Sequence, residues 1–216
     1  MDMISIKKQA FELLGNKNSH HWKEKGNKYY HGERVAELVL KLRRLVLPED
    51  DSHDEILTVA AWYHDIMNGH DDHAMKGAKK AREVLAKYCS IEELNSICDI
   101  IAVHDDRYNG RDTYSNYIKL QQDADHLDHF GTYDIYMMFL YSAPHGQTLN
   151  EVIDWLVNDR PAEDEKYRSE LNFEISKKIY DEKSNFLKNF TERFKVEGEG
   201  GIWNINEIIA SSKELK

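Results

Sequence analysis

The chain has 216 residues, a formal net charge of −10 and 41% hydrophobic residues, a balance that suits one large or two small globular domains and excludes a disordered polyelectrolyte. No run nears the roughly 20 apolar residues of a membrane-spanning helix, and the start MDMISIKKQAF lacks a basic-then-apolar leader, so a cytoplasmic protein is expected. The acidic excess argues against a duplex nucleic-acid binder, which needs clustered cations, while 11 histidines beside many carboxylates favour a metal site without locating one.

Prolines occur only at 48, 144 and 161, each where a periodic segment stops, and the windows between them read as helices in an all-α protein. His31 to Leu47 carries Val35, Leu38, Val39, Leu42, Leu45 and Val46 at helical spacing, and Pro48 ends it. Asp54 to Met67 is apolar nearly all round, as a central helix enclosed by others must be. His73 to Tyr88 is amphipathic, with small residues that permit close helix approach. Ser90-Ile91-Glu92-Glu93 is a capping box opening a helix to about His104.

A polar loop follows at Asp105 to Asp112, and helical periodicity resumes from about Ser115 to Phe130, where Gly131 interrupts it. After the aromatic stretch TYDIYMMFLY and a break at Pro144 to Gly146, Thr148 to Glu151 is a second capping box. One long, charged helix with a single packed face is predicted over about Asp164 to Lys195. Residues 1–200 are expected to form one domain and 201–216 an extension, whose Ile202, Trp203, Ile205, Ile208 and Ile209 could dock on the body or on a partner. That tail and Tyr133 to Tyr141 are candidate surfaces for a homo-oligomer, and the two cysteines, Cys89 and Cys98, read as reduced small core residues.

Four polar side chains interrupt otherwise apolar helices: His31, the pair His64-Asp65, and Asp125. A buried, unpaired carboxylate costs several kcal/mol, roughly, and a divalent cation compensates two carboxylates and two imidazoles at once. Each group alone could equally be a hydrogen-bonded core or helix-end residue. Such a mixed nitrogen and oxygen set suits Mn(II), Fe(II), Co(II), Ni(II) or Mg(II), with water completing the shell. An ion of this kind acidifies bound water and polarises a phosphoryl oxygen, so phosphoester or phosphoanhydride hydrolysis is the expected reaction, with Asp65 linking coordination to proton transfer.

The ordered pattern His31, His64-Asp65, Asp125 resembles the HD-domain superfamily of metal-dependent phosphohydrolases, whose fold is a helical bundle. Further similarity, to small bacterial HD hydrolases akin to nucleoside triphosphate pyrophosphohydrolases, runs through H-x-x-R-V at His31 to Val35, G-A-x-x-A at Gly77 to Ala81, an added His104, Q-D-A-D-x-L-D at Gln122 to Asp128 and ERF-x-x-E at Glu192 to Glu197. The resemblance spans roughly residues 20–198 and implies a compact multi-helix HD bundle.

It further implies metal ligation by His31, His64, Asp65 and Asp125, catalytic roles for Asp65 and His104, and a small phosphorylated substrate, a nucleotide above others. A nucleoside monophosphate phosphatase, a phosphodiesterase and a catalytically weak metal- and nucleotide-binding regulator are the alternatives. Where related enzymes often carry an acidic residue three positions after the dyad, this chain has Asn68; Asp71 or Asp72 could supply that carboxylate from the loop. His70 and His73 lie near enough in sequence to join a second metal, though a loop and a helix start explain them as well. Lys76, Arg107 and Arg111 are the candidate substrate-phosphate cations. Asp123, Asp128, His126 and His129 read as supporting or surface groups, and Tyr108, Tyr114, Tyr117, Tyr133 and Tyr136 as packing rather than a base-stacking wall.

Overall fold

The computed structural model describes residues 1–108 and 112–213. The described residues are helical throughout their ordered elements, with no strand. The order is α1 (Met3–Leu14), α2 (Asn27–Val46), α3 (Asp54–Tyr63), α4 (His73–Leu85), α5 (Ile91–Ala102), α6 (Asn116–Asp128), α7 (Thr132–Ser142), α8 (Leu149–Asp154), a π-turn (Trp155–Asp159), α9 (Arg160–Ser169), α10 (Glu174–Gly198) and α11 (Ile205–Lys213). None of the described helices is long and apolar enough to cross a membrane.

Helix α3 is the centre, as its all-round apolar pattern predicts: Leu57, Val59, Ala60, Ala61 and Tyr63 are sealed from solvent, and α1, α2, α5 and α6 pack about it. The α2–α3 contact is set by Gly32, where a Cβ would come within 2.9 Å of the Ala61 carbonyl oxygen. Only a glycine lets the two backbones approach so closely, and the residue beside it is His31. The capping boxes form at Ser90–Glu93 and Thr148–Glu151, with the hydroxyl and the carboxylate each satisfying a backbone N–H.

Three elements differ from the sequence reading. Helix α1, which that reading passed over, buries Ile6, Ala10 and Leu14 against the core. The HD dyad follows α3 in a turn, because the helix stops at Tyr63. The helix expected over about Asp164 to Lys195 is two, broken between Ser169 and Glu174. Asp123 of α6, wholly buried, makes the break: its carboxylate accepts from the backbone N–H groups of Asn172 at 2.8 Å and Phe173 at 3.1 Å and from the Asn172 side chain at 2.9 Å. Phe173 itself brings no capping side chain to α10, so a carboxylate distant in sequence caps it.

Hydrophobic packing divides unequally. The main core takes residues of α1 to α6 together with Leu171 and Tyr180, whereas Val152, Leu156 and Leu187 form a second, smaller cluster flanked by Ile135, Met138, Trp155, Phe190 and Phe194. In the tail, Ile202, Ile205, Ile208 and Ile209 are exposed.

Candidate metal centre

Helices α2 and α6 and the turn after α3 bring the four predicted side chains together. His31 Nε2 lies 3.1 Å from His64 Nε2, 3.0 Å from Asp125 Oδ1 and 3.9 Å from Asp65 Oδ2. His64 Nε2 lies 3.6 Å from Asp65 Oδ2 and 3.5 Å from Asp125 Oδ1. Ligands about 2.1 Å from an octahedral ion stand about 3 Å apart along each edge, so this spacing suits a single divalent cation. All four residues are buried; His31, His64 and Asp65 form one group able to hold an ion, and Asp125 approaches both imidazoles, so two carboxylates and two imidazoles offer a donor set that fits such an ion.

The ring orientations are fixed from behind. His64 Nδ1 donates to the Ala61 carbonyl at 2.7 Å and His104 Nδ1 to that of Ile101 at 2.8 Å, which leaves each Nε2 as a bare lone pair. His31 Nδ1 donates to Asp128 at 2.8 Å, and Arg34 grips the same carboxylate through Nε and Nη2 at 2.9 and 2.8 Å. Asp128 thus supports His31, and Arg34 serves Asp128 while stacking on Tyr133 at 4.1 Å.

The electrostatics follow from this packing. Burial disfavours a charged His31, but hydrogen bonds to Asp125 and Asp128 outweigh it and raise the group to about 9. Burial also opposes ionised Asp65 and Asp125, yet the surrounding imidazoles, and Lys28 in the case of Asp65, hold both well below the ordinary carboxylate range. Burial and the neighbouring His64 push His104 down to about 4, so it is neutral at physiological pH.

Other predicted residues fall at different distances from this point. His104 stacks edge-on against His64 at 4.9 Å and, with His64 and Asp125, forms a further group able to hold an ion. His73 joins Asp65 and His104 in another such group. Asn68 donates to Asp65 Oδ1 at 3.3 Å, while Asp71 and Asp72 are exposed. Arg107 is engaged with Asp125 Oδ2 at 2.9 Å and the Gln122 carbonyl at 2.6 Å. Lys76 is exposed on α4 and does not line the cavity over the cluster. Arg111 lies outside the described residues.

Sequence reasoning missed three groups here. His129, expected to be a supporting or surface group, reaches 3.7 Å from Asp125 Oδ1 and makes, with His31 and Asp125, a group able to hold an ion. Lys28 pairs directly with the Asp65 carboxylate, and Lys23 and Lys28 line a cavity of about 470 Å³ that opens over His31 and His129. Lys28 stands three residues before His31, one turn away on the same helix face, a spacing that could have drawn attention to it. Of the tyrosines, Tyr133 lines this cavity; Tyr114 and Tyr117 are bound to Asp106 and Asp50.

Residues 29–129 match the model of the HD domain. No curated protein matches the sequence. Among solved structures, an HD-superfamily hydrolase from Bacillus thuringiensis is 21% identical, with a TM-score of 0.67 over 91% of this chain and 96% of that one. A predicted HD superfamily hydrolase from an uncultured Thermotogales bacterium is 22% identical, with a TM-score of 0.59 over 91% of each chain. Bacillus subtilis YpgQ in complex with ADP is 18% identical, with a TM-score of 0.63 over 94% of this chain and 96% of that one. At these identities the likeness is one of fold.

Proposed function

The HD-domain match and the fold shared with HD-superfamily hydrolases support a metal-dependent phosphohydrolase, and from that premise we propose that the substrate is a nucleotide, cleaved at a phosphoanhydride with release of pyrophosphate from a nucleoside triphosphate. The observation that carries the reading is the convergence of Asp65 and Asp125 on the paired imidazoles of His31 and His64 at 3.0 to 3.9 Å, with His31 also lining a cavity that bears Lys23 and Lys28. The ADP bound to YpgQ, a protein of like fold, supports a nucleotide over other phosphate compounds.

His31, His64, Asp65 and Asp125 would hold the ion, which supplies Lewis acidity to the phosphoryl oxygen and acidifies the attacking water. Asp65 turns Oδ2 toward the cluster and Oδ1 toward Asn68 and His73, so Oδ1 is the atom that can accept a hydrogen bond from that water and orient it. His104, neutral and with Nδ1–H committed to Ile101, offers Nε2 as a proton acceptor beside it. Lys28 and Lys23, which line the cavity, would neutralise the phosphates, whereas Arg107 is turned to Asp125 and does not line it.

The test is a screen of metal-loaded protein against nucleoside tri- and monophosphates and an aryl phosphate, with orthophosphate and pyrophosphate measured separately. Pyrophosphate release from triphosphates is the expected result. Orthophosphate from monophosphates alone would replace this reading with a phosphatase.

A further inference from the structure

A second cavity, of about 330 Å³, adjoins the one over the cluster; Asp134, Met137 and Trp155 line both, and the second reaches none of the cluster residues. These three therefore stand where the first cavity meets the second. All come from the chain after residue 129, beyond the HD match, and Trp155 belongs to the smaller hydrophobic cluster. The indole is placed by the π-turn that opens at Trp155; such turns widen the helix and re-aim its side chains, and they recur at functional sites. Half-buried, it makes no ring–ring contact among the described residues, whereas Trp22, Tyr133 and Tyr141 all do. Met137, also half-buried, brings a polarisable thioether that adapts to a flat partner.

The same cavity also carries cations. Lys23 and Lys28 both line it, and burial together with the neighbouring Lys28 charge pushes the Lys23 ammonium down, which an arriving anion would relieve. Glu163, on the same lining, offers a carboxylate acceptor to ring N–H donors. An aromatic face, a cation pair and an acceptor in one cavity match the parts of a nucleotide. We propose that Trp155 and Met137 form the base-stacking wall of the substrate site, so that the metal centre with Lys23 and Lys28 holds the phosphates and the segment after the HD match selects the base. This rests on the nucleotide reading above and adds to it which residues contact the base.

The experiment is calorimetric binding of two non-hydrolysable probes to metal-loaded protein: α,β-methylene-ADP and methylenediphosphonate, which lacks base and sugar. Base stacking on an aromatic side chain contributes roughly tenfold or more in affinity. Wild type is expected to bind the nucleotide probe at least about tenfold tighter than the diphosphonate, and Trp155→Leu to lose that advantage with diphosphonate affinity unchanged. Met137→Ala should lose part of it, and Trp155→Phe, which keeps a ring and the packing against the smaller cluster, should retain most. Equal loss for both probes in Trp155→Leu, with Trp155→Phe equally impaired, or no loss at all, would overturn the proposal. Wild type binding both probes alike would overturn it while leaving the phosphohydrolase reading in place; wild type binding neither would remove both.

Discussion

Asp128 and His31 are joined by a 2.8 Å hydrogen bond on the side of the imidazole away from the cluster, and that bond fixes which ring nitrogen His31 presents to an ion. Arg34 holds Asp128 in turn, so three residues from α2 and α6 act as one support.

Removing that support should weaken metal binding without touching a ligand. Asp128→Ala is expected to lower metal affinity about 10- to 100-fold, the usual effect of losing a group behind a ligating histidine. Arg34→Ala should act in the same direction and less. Titration of the metal-free protein with Mn(II) measures both; an unchanged affinity in Asp128→Ala would show that the His31 ring is oriented without it.

Metal uptake should also be pH-dependent. In the metal-free protein His31 is raised to about 9 by Asp125 and Asp128 against its burial, so an incoming ion must displace a proton. Apparent affinity is therefore expected to climb about tenfold per pH unit up to that value, then flatten. The sign for stability is opposite: the raised His31 stabilises the metal-free fold below its ordinary value of 6.5, and that contribution is lost as pH rises through about 9. Calorimetric titrations at several pH values, with thermal melts of the metal-free protein, check both.

Lys28 is placed to give opposite effects on two ligands. Its ammonium pairs with Asp65 in the metal-free protein, so Lys28→Met should bind metal more tightly while binding the nucleotide about 10- to 100-fold more weakly, the loss expected for a charge-assisted hydrogen bond. A change in the same direction for both would contradict the role assigned to it.

Asp123 tests the fold rather than the chemistry. It is the acceptor for three N–H groups at the α9–α10 corner, and Asp123→Ala removes the carboxylate that all three share. A loss of about 2 to 4 kcal/mol in urea unfolding is expected. A loss below about 0.5 kcal/mol would mean that another group caps α10.

The same residue explains what the sequence could not reveal. No proline or glycine marks the break at residues 170–173, because the acceptor that bends the chain lies about fifty residues earlier. The main helices and the four converging side chains were legible, since periodicity and polar residues inside apolar helices are local signals. Helix α1 carries the same kind of local signal: Ile6, Ala10 and Leu14 fall at i, i+4 and i+8 on its buried face. His129 and Lys23 carry no local signal; they become relevant through the approach of α6 to α2 and through the loop before α2, which only tertiary packing sets. Arg107 was legible as a cation near the site, but not its engagement by Asp125.

The central claim is that His31, His64, Asp65 and Asp125 hold a catalytic divalent ion. Its most direct test is metal stoichiometry by plasma mass spectrometry on wild type and Asp125→Ala, after loading with Mn(II) and gel filtration, with circular dichroism confirming an intact helical fold. A bound ion retained by wild type and lost from Asp125→Ala is the predicted result; equal stoichiometry in the two folded proteins would contradict it.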